Sequence, residues 1–97
     1  QEIITELAAR DEGRDQRQFH LIDGKGRSAA FTGAKCIDWA GHLVDDGVSV
    51  AGTMLAGPQV AAETLAAYMN AASKPLVERL LEAMQAGANL LQAQSRV

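Results

Sequence analysis

Chemically reactive side chains are concentrated in one short segment of the sequence, between Phe31 and His42. This segment holds the only Cys and the only Trp of the chain, one of its two His, an Asp and two Gly. Packing alone rarely calls for so many different side chains within one short stretch. We therefore treat segment 31–42 as the candidate functional site.

Two kinds of chemistry are open to this segment. Cys36 and His42 have the side chains of a nucleophile and its general base, and Asp38 is available to orient the imidazole. The competing interpretation is that Cys36 is a small buried hydrophobic residue, as free cysteines commonly are. Trp39 is likewise more typical of a packing anchor than of a ligand platform. Cys36, Asp38 and His42 supply three metal ligands without a fourth at a recognisable spacing, so we expect no metal and no cofactor.

The composition is that of one small folded domain of 97 residues, with 47% hydrophobic and 22% charged residues. The net charge of -3 lacks the basic footprint of a protein that binds nucleic acid. No apolar run approaches the roughly 20 residues that cross a bilayer, and no signal peptide is visible. Together with the single cysteine, these features predict a cytoplasmic protein without membrane contact.

The hydrophobic spacing predicts the elements that must position the candidate site. Apolar residues recur at helical spacing near both ends of the chain, and Asp23-Gly24 is a strong signal for a tight hairpin turn. The last ten residues, 88–97, show no clear pattern. The predicted elements are helices at 2–10, at 58–72 and from 75 to a cap at Gly87, strands at 17–23, 27–32 and 48–55, and a loop at 33–47.

This order of elements predicts an α+β fold with antiparallel strands and helices on one face. The two strands of the predicted hairpin are mainly apolar on both faces, as in a sheet that is covered on both sides. His20, within the first strand, is interpreted as a satisfied structural histidine. Because helices on one face cover a sheet only once, we expect the second cover from outside the chain, either from a homo-oligomer or from a missing half of the domain.

Two segments of the chain resemble the family of unknown function numbered 1028. They are segment 31–42 and Val50-Ala-Gly-Thr-Met-Leu-Ala-Gly-Pro-Gln-Val60, and residues 75–83 also resemble the last helix of that family. The resemblance implies a bacterial protein with an N-terminal-nucleophile-hydrolase-like αββα sandwich. Residues 1–97 would then form a single incomplete domain, the C-terminal half of the sandwich. The chain departs from the family pattern at Thr53, where an Asn is usual.

Amide-bond hydrolysis is what such a fold implies, with the nucleophile on the half that this chain lacks. His42 would act as a base or polariser, Asp38 would orient His42, and Thr32 would offer a hydrogen-bond donor. The candidates for ligand contacts are Gly33, Cys36 and Trp39. Fold alone does not establish an enzyme, so two alternatives stay open: a non-catalytic structural or assembly module, and a small-ligand-binding domain.

Overall fold

Helices and β-hairpins follow one another along the chain in the order helix, hairpin, hairpin, helix, helix. A computed structural model describes residues 2–95, with side-chain environments given for residues 2–90. The helices are α1 (Glu2–Arg10), α2 (Pro58–Asn70) and α3 (Leu76–Ser95). The strands are β1 (Gln18–Ile22), β2 (Ser28–Thr32), β3 (Gly41–Asp45) and β4 (Val48–Gly52), and a single 3-10 turn at Arg14–Gln16 precedes β1.

Each hairpin forms its own two-stranded antiparallel sheet. In the first sheet, β1 pairs with β2 so that Gln18 lies opposite Thr32. In the second, β3 pairs with β4 so that Gly41 lies opposite Gly52. Gly47 has a φ of 75° in the tight turn between β3 and β4, a left-handed conformation that glycine adopts without strain. The expected α+β class with small antiparallel sheets is therefore confirmed.

The two hairpins stack on each other, and the layer between them is polar. Side chains alternate across a strand, so the even-numbered residues of the first hairpin face the second hairpin. The amide nitrogen Nε2 of Gln18 lies 3.0 Å from Thr32 Oγ1 and 3.0 Å from the carbonyl oxygens of Gly41 and Gly52. One side chain thus links its own strand β1 to β2, β3 and β4.

The helices lie on the two outer sides of this pair of hairpins, rather than on one face as expected from the sequence. Helix α1 packs against β2 through the buried side chains of Ile4 and Ala8, close to the buried Ala29. Helix α2 packs against the second hairpin through the buried Val60 and Ala61. The face of the first hairpin toward the second is polar rather than apolar, and the second hairpin covers it. The second cover expected from outside the chain is therefore supplied by the chain itself.

The second hairpin corrects two predictions. Residues 33–47 are not all loop, because Asp46-Gly47 closes a two-residue turn that brings β3 against β4. Strand β4 ends at Gly52 rather than at residue 55. Beyond it, Met54 has a φ of 56°, a left-handed conformation that departs from the extended backbone of a strand. After Met54 the backbone hydrogen-bonds to the segment that precedes β3. There Leu55 and Trp39 exchange two backbone hydrogen bonds, at 3.0 and 3.1 Å.

Gly87 lies inside α3 and does not cap it, contrary to the prediction. A Cβ atom at Gly87 would lie 2.5 Å from Thr64 Oγ1, so glycine permits the close approach of α2 and α3. The helix continues to Ser95. Most of the segment that shows no pattern in the sequence is therefore helical, while residues 96 and 97 lie outside the described part of the chain.

Large apolar side chains remain exposed on several surfaces. Within the described residues, the buried hydrophobic set contains five alanines besides Ile4 and Val60. The chain forms a slab of 38 × 37 × 15 Å, because each sheet is only two strands wide. One row of exposed residues, here called the α3 stripe, consists of Leu76, Val77, Leu80, Leu81 and Met84. Among residues 2–95, no helix is both long and apolar enough to cross a membrane.

Replacing Gln18 by Met keeps the length of the side chain but removes its hydrogen bonds. We expect the free energy of unfolding to fall by about 1–3 kcal/mol, since Thr32 Oγ1 and two carbonyl oxygens lose a donor in a half-buried layer. Urea unfolding followed by circular dichroism measures the change. Gln16→Met, at an exposed position of the 3-10 turn, is the matched control. Equal midpoints for the two variants would contradict the role given to Gln18.

Candidate functional site

Strands β2 and β3 bring Thr32 and His42 together in the layer between the hairpins. The distance from Thr32 Oγ1 to His42 Nδ1 is 2.8 Å, and both residues are half-buried. The amide nitrogen of Gln18 can only donate, so Thr32 Oγ1 is its acceptor. Thr32 Oγ1 has a second lone pair and a hydrogen, so it donates to Nδ1 in the imidazole tautomer that carries its hydrogen on Nε2 and accepts from Nδ1 in the other tautomer. This series of hydrogen bonds, here called the Gln18–Thr32–His42 relay, orients the imidazole ring of His42.

Asp38 is exposed on the loop that precedes β3. Among the hydrogen bonds of residues 2–90, none joins Asp38 to His42. The imidazole is oriented by the hydroxyl of Thr32 instead. A carboxylate at position 38 is therefore free to face solvent or a ligand, but it does not hold the ring in place.

Gly33 allows the 3-10 turn to pack closely against the end of β2. Its N–H donates to the carbonyl oxygen of Arg17 at 2.8 Å, so this N–H is already used. A Cβ atom at Gly33 would lie 2.2 Å from the carbonyl oxygen of Arg14 and 2.4 Å from that of Asp15. Only glycine lets the 3-10 turn approach the end of β2 so closely. Cys36 stands beside this contact, half-buried, with its Sγ 3.4 Å from Arg17 O.

Trp39 connects the loop that precedes β3 to the segment that follows β4. Its backbone exchanges hydrogen bonds with Leu55. Its half-buried indole lies over Gly41, where a Cβ atom would come within 2.5 Å of the ring. These contacts give Trp39 the packing position that its size suits.

The ionisable groups with clearly shifted pKa values lie away from the relay. Hydrogen bonds from the backbone N–H and the guanidinium of Arg27 lower the pKa of Asp23 at the first hairpin turn. A hydrogen bond to Glu82 raises the pKa of Lys74 between α2 and α3. Both are surface ion pairs. Within residues 2–95, no group of three or more His, Cys, Asp or Glu is placed to hold a metal ion.

Sequence reasoning missed two residues of the polar layer, Gln18 and Ser49. Ser49 Oγ lies 2.8 Å from Nδ1 of His20, which is exposed rather than part of a core. Alternation gives a partial signal for Gln18, because it falls on one face of the first hairpin with Ser28 and Thr32, although Ile22 interrupts this polar face. Alternation does not indicate which residues lie opposite that face, and Ser49 has no such signal.

The sequence matches the family of unknown function DUF1028 over residues 1–90. The chain belongs to this family. No curated protein matches the sequence.

A solved structure supports the membership of this DUF1028 chain. The crystal structure of protein SPO2555 from Silicibacter pomeroyi, also a DUF1028 protein, superposes with a TM-score of 0.85 at 28% sequence identity. The match covers 91% of this chain and 40% of the SPO2555 chain. The DUF1028 chain described here therefore spans well under half the length of this relative.

Substituting Gly33 by Ala should destabilise the fold by about 2 kcal/mol or more, since the added Cβ meets backbone oxygens that cannot move aside as a side chain would. Gly24→Ala is the matched control, because a Cβ at Gly24 meets nothing within 4 Å. Thermal unfolding of the two variants beside the unsubstituted chain measures the difference. Equal midpoints for the two variants would show that the 3-10 turn is not held against β2.

Proposed function

We propose that this DUF1028 chain forms one wall of an amide-hydrolase site in which His42 polarises the scissile carbonyl. The observation that carries the proposal is the 2.8 Å hydrogen bond between Thr32 Oγ1 and His42 Nδ1. It fixes the ring and, in the tautomer in which Thr32 donates to Nδ1, leaves Nε2 as a donor. A donor that is oriented before the substrate arrives stabilises negative charge on a carbonyl oxygen without reorganising during the reaction.

The layer order supports the same proposal. A helix, two stacked hairpins and a helix pair are the layers that half of an αββα sandwich of the N-terminal-nucleophile type would contain. In such a domain the cleft lies between sheets, where the relay also lies. On this proposal residues 1–97 are the C-terminal half of a cytoplasmic domain.

Each candidate residue then has a distinct part. His42 Nε2 donates to the carbonyl oxygen of the substrate. Thr32 positions His42, because its hydroxyl is engaged by both Gln18 and the imidazole and is not free to attack. Asp38 lies on the exposed loop beside the site and contacts the substrate rather than the ring. The attacking group comes from outside this set.

The proposal is tested by measuring the hydrolysis of a panel of aminoacyl p-nitroanilides. The protein assayed is the one translated from the complete reading frame that contains this sequence. We expect His42→Gln to lower kcat by about 100-fold, a size typical of removing one oriented charge-stabilising donor. Thr32→Val should lower kcat by about tenfold and leave KM nearly unchanged, since it removes only the group that orients the ring.

Thr53→Val, at an exposed position, is the matched control for Thr32→Val and should hydrolyse at the unsubstituted rate. Two results would contradict the proposal: no hydrolysis of any anilide above buffer, or full activity in His42→Gln.

A second candidate function, an assembly module, is favoured by the α3 stripe. Its side chains are 49–69% exposed. Monomeric soluble proteins rarely expose continuous apolar patches of this kind, which mark sites of protein association.

Replacing Leu81 by Gln in the α3 stripe should lower the molar mass measured by light scattering toward that of a single chain. Ile3→Gln, at a similarly exposed apolar position on α1, should leave the mass unchanged. A single-chain mass for the unsubstituted protein would remove this candidate.

A further inference from the structure

We propose that Ser49 and His20 form a second nucleophilic site, which takes short-chain carboxylic esters and acts independently of the relay. Ser49 Oγ lies 2.8 Å from His20 Nδ1, within the range of a nucleophile and its general base. Ser49 is half-buried and His20 is exposed, so a substrate can reach both groups.

The two residues come from different hairpins and meet at one side of the stack. His20 is on β1 and Ser49 is on β4, and these two strands lie against each other. Ser49 shares the inner face of its hairpin with Ala51, and His20 lies opposite Ala30. The small alanine side chains leave the imidazole and the hydroxyl uncrowded.

An apolar cleft of about 190 Å³ opens beside the pair and is lined by both His20 and Ser49. Its other walls include Val50 of β4, Tyr68 of α2 and Leu80 of α3. No acidic or basic side chain other than His20 lines it, which suits an uncharged acyl chain. The volume is below the roughly 300 Å³ at which drug-sized pockets begin, so the cleft admits a short chain.

Strand β4 also offers an N–H group for a developing oxyanion. The two-residue turn at Asp46-Gly47 makes Asp45 and Val48 a hydrogen-bonded pair, and such pairs alternate along an antiparallel ladder. Ser49 therefore falls at a position whose N–H points away from β3. Because β4 pairs with β3 alone within the described residues, this N–H faces the open edge of the sheet. A nucleophile whose own N–H binds the oxyanion is an established arrangement in acyl transfer.

The chemistry is an acyl transfer to Ser49. The hydroxyl proton passes to His20 Nδ1 as the Ser49 Oγ–carbon bond forms at the ester carbonyl. The carbon–alkoxy bond then breaks, and the departing alcohol takes the proton from His20. Among residues 2–90 no carboxylate is hydrogen-bonded to His20, so the imidazole lacks the third group of a triad. The same imidazole would serve as base in the formation and in the hydrolysis of the acyl-serine, so we expect both steps to be slower than in an enzyme with a complete triad.

A fluorophosphonate probe tests this site on the whole 97-residue chain. The serine hydroxyl displaces fluoride, the proton passes to His20, and a stable Oγ–phosphorus bond forms. We expect intact-mass spectrometry to show one added group and peptide mapping to place it on Ser49. His20→Ala should slow the labelling by about 100-fold or more, the usual contribution of a general base.

Ser28→Ala is the matched control, because Ser28 lies in the same polar layer but hydrogen-bonds the carbonyl oxygen of Asp45 rather than an imidazole. It should label at the unsubstituted rate, whereas Ser49→Ala should not label. Mapping on the unsubstituted chain keeps the test valid even if Ser49→Ala fails to fold. Absence of labelling, a label on another residue, or an unchanged rate in His20→Ala would overturn the proposal. None of these results bears on hydrolysis through His42.

Discussion

The arrangement of the two hairpins depends on the side-chain amide of Gln18. Its nitrogen contacts acceptors on β2, β3 and β4 at 3.0 Å, while its own backbone belongs to β1. A hydrophobic interface tolerates sliding, whereas hydrogen bonds to particular carbonyl oxygens do not. Gln18 therefore sets the position of one sheet on the other. The pairing of Thr32 with His42 and of His20 with Ser49 follows from that position.

Close backbone approach is the second constraint, and glycine makes it possible. Gly33 lets the 3-10 turn contact the end of β2, and Gly87 lets α3 lie against Thr64 of α2. Neither glycine has the left-handed φ that accounts for Gly47. At both positions the absence of a Cβ atom matters, rather than conformational freedom of the backbone. Together with an interior built largely of alanine, these glycines allow the layers to lie close together.

The elements with strong local signals were predictable, and those that depend on partners were not. Helix α1 and the strands of the first hairpin follow from apolar spacing, but the tight turn expected at Asp23-Gly24 is a five-residue connection, 23–27, whose left-handed residue is Gly26 with a φ of 80°. Strand β3 was missed although Asp46-Gly47 is the same type of signal, because the reactive residues before it resemble a loop. The extent of β4 was overestimated because the backbone leaves the extended conformation at Met54, which has a φ of 56°, while the composition still resembles that of a strand.

The candidate site shows the same division. His42 and Thr32 were recognisable as reactive types, and the fold places them in contact. Asp38 was assigned to the imidazole by proximity in sequence, but Asp38 is exposed on the loop, and the hydrogen-bond partner of His42 Nδ1 is Thr32. Gln18 and Ser49 carry no motif. Their importance arises from the stacking of two sheets, a long-range event that neither local propensity nor spacing encodes.

The order of the layers is also the order of the chain, and this has a consequence for folding. Helix α1, the first hairpin, the second hairpin and the helix pair each make their main contacts with the layer that precedes or follows them in sequence. The molecule is in this respect a short one-dimensional array, like a solenoid of unlike units. Such an array can nucleate in any layer and grow toward both ends. Docking of each new layer, rather than one collective collapse, then becomes the step that completes the structure.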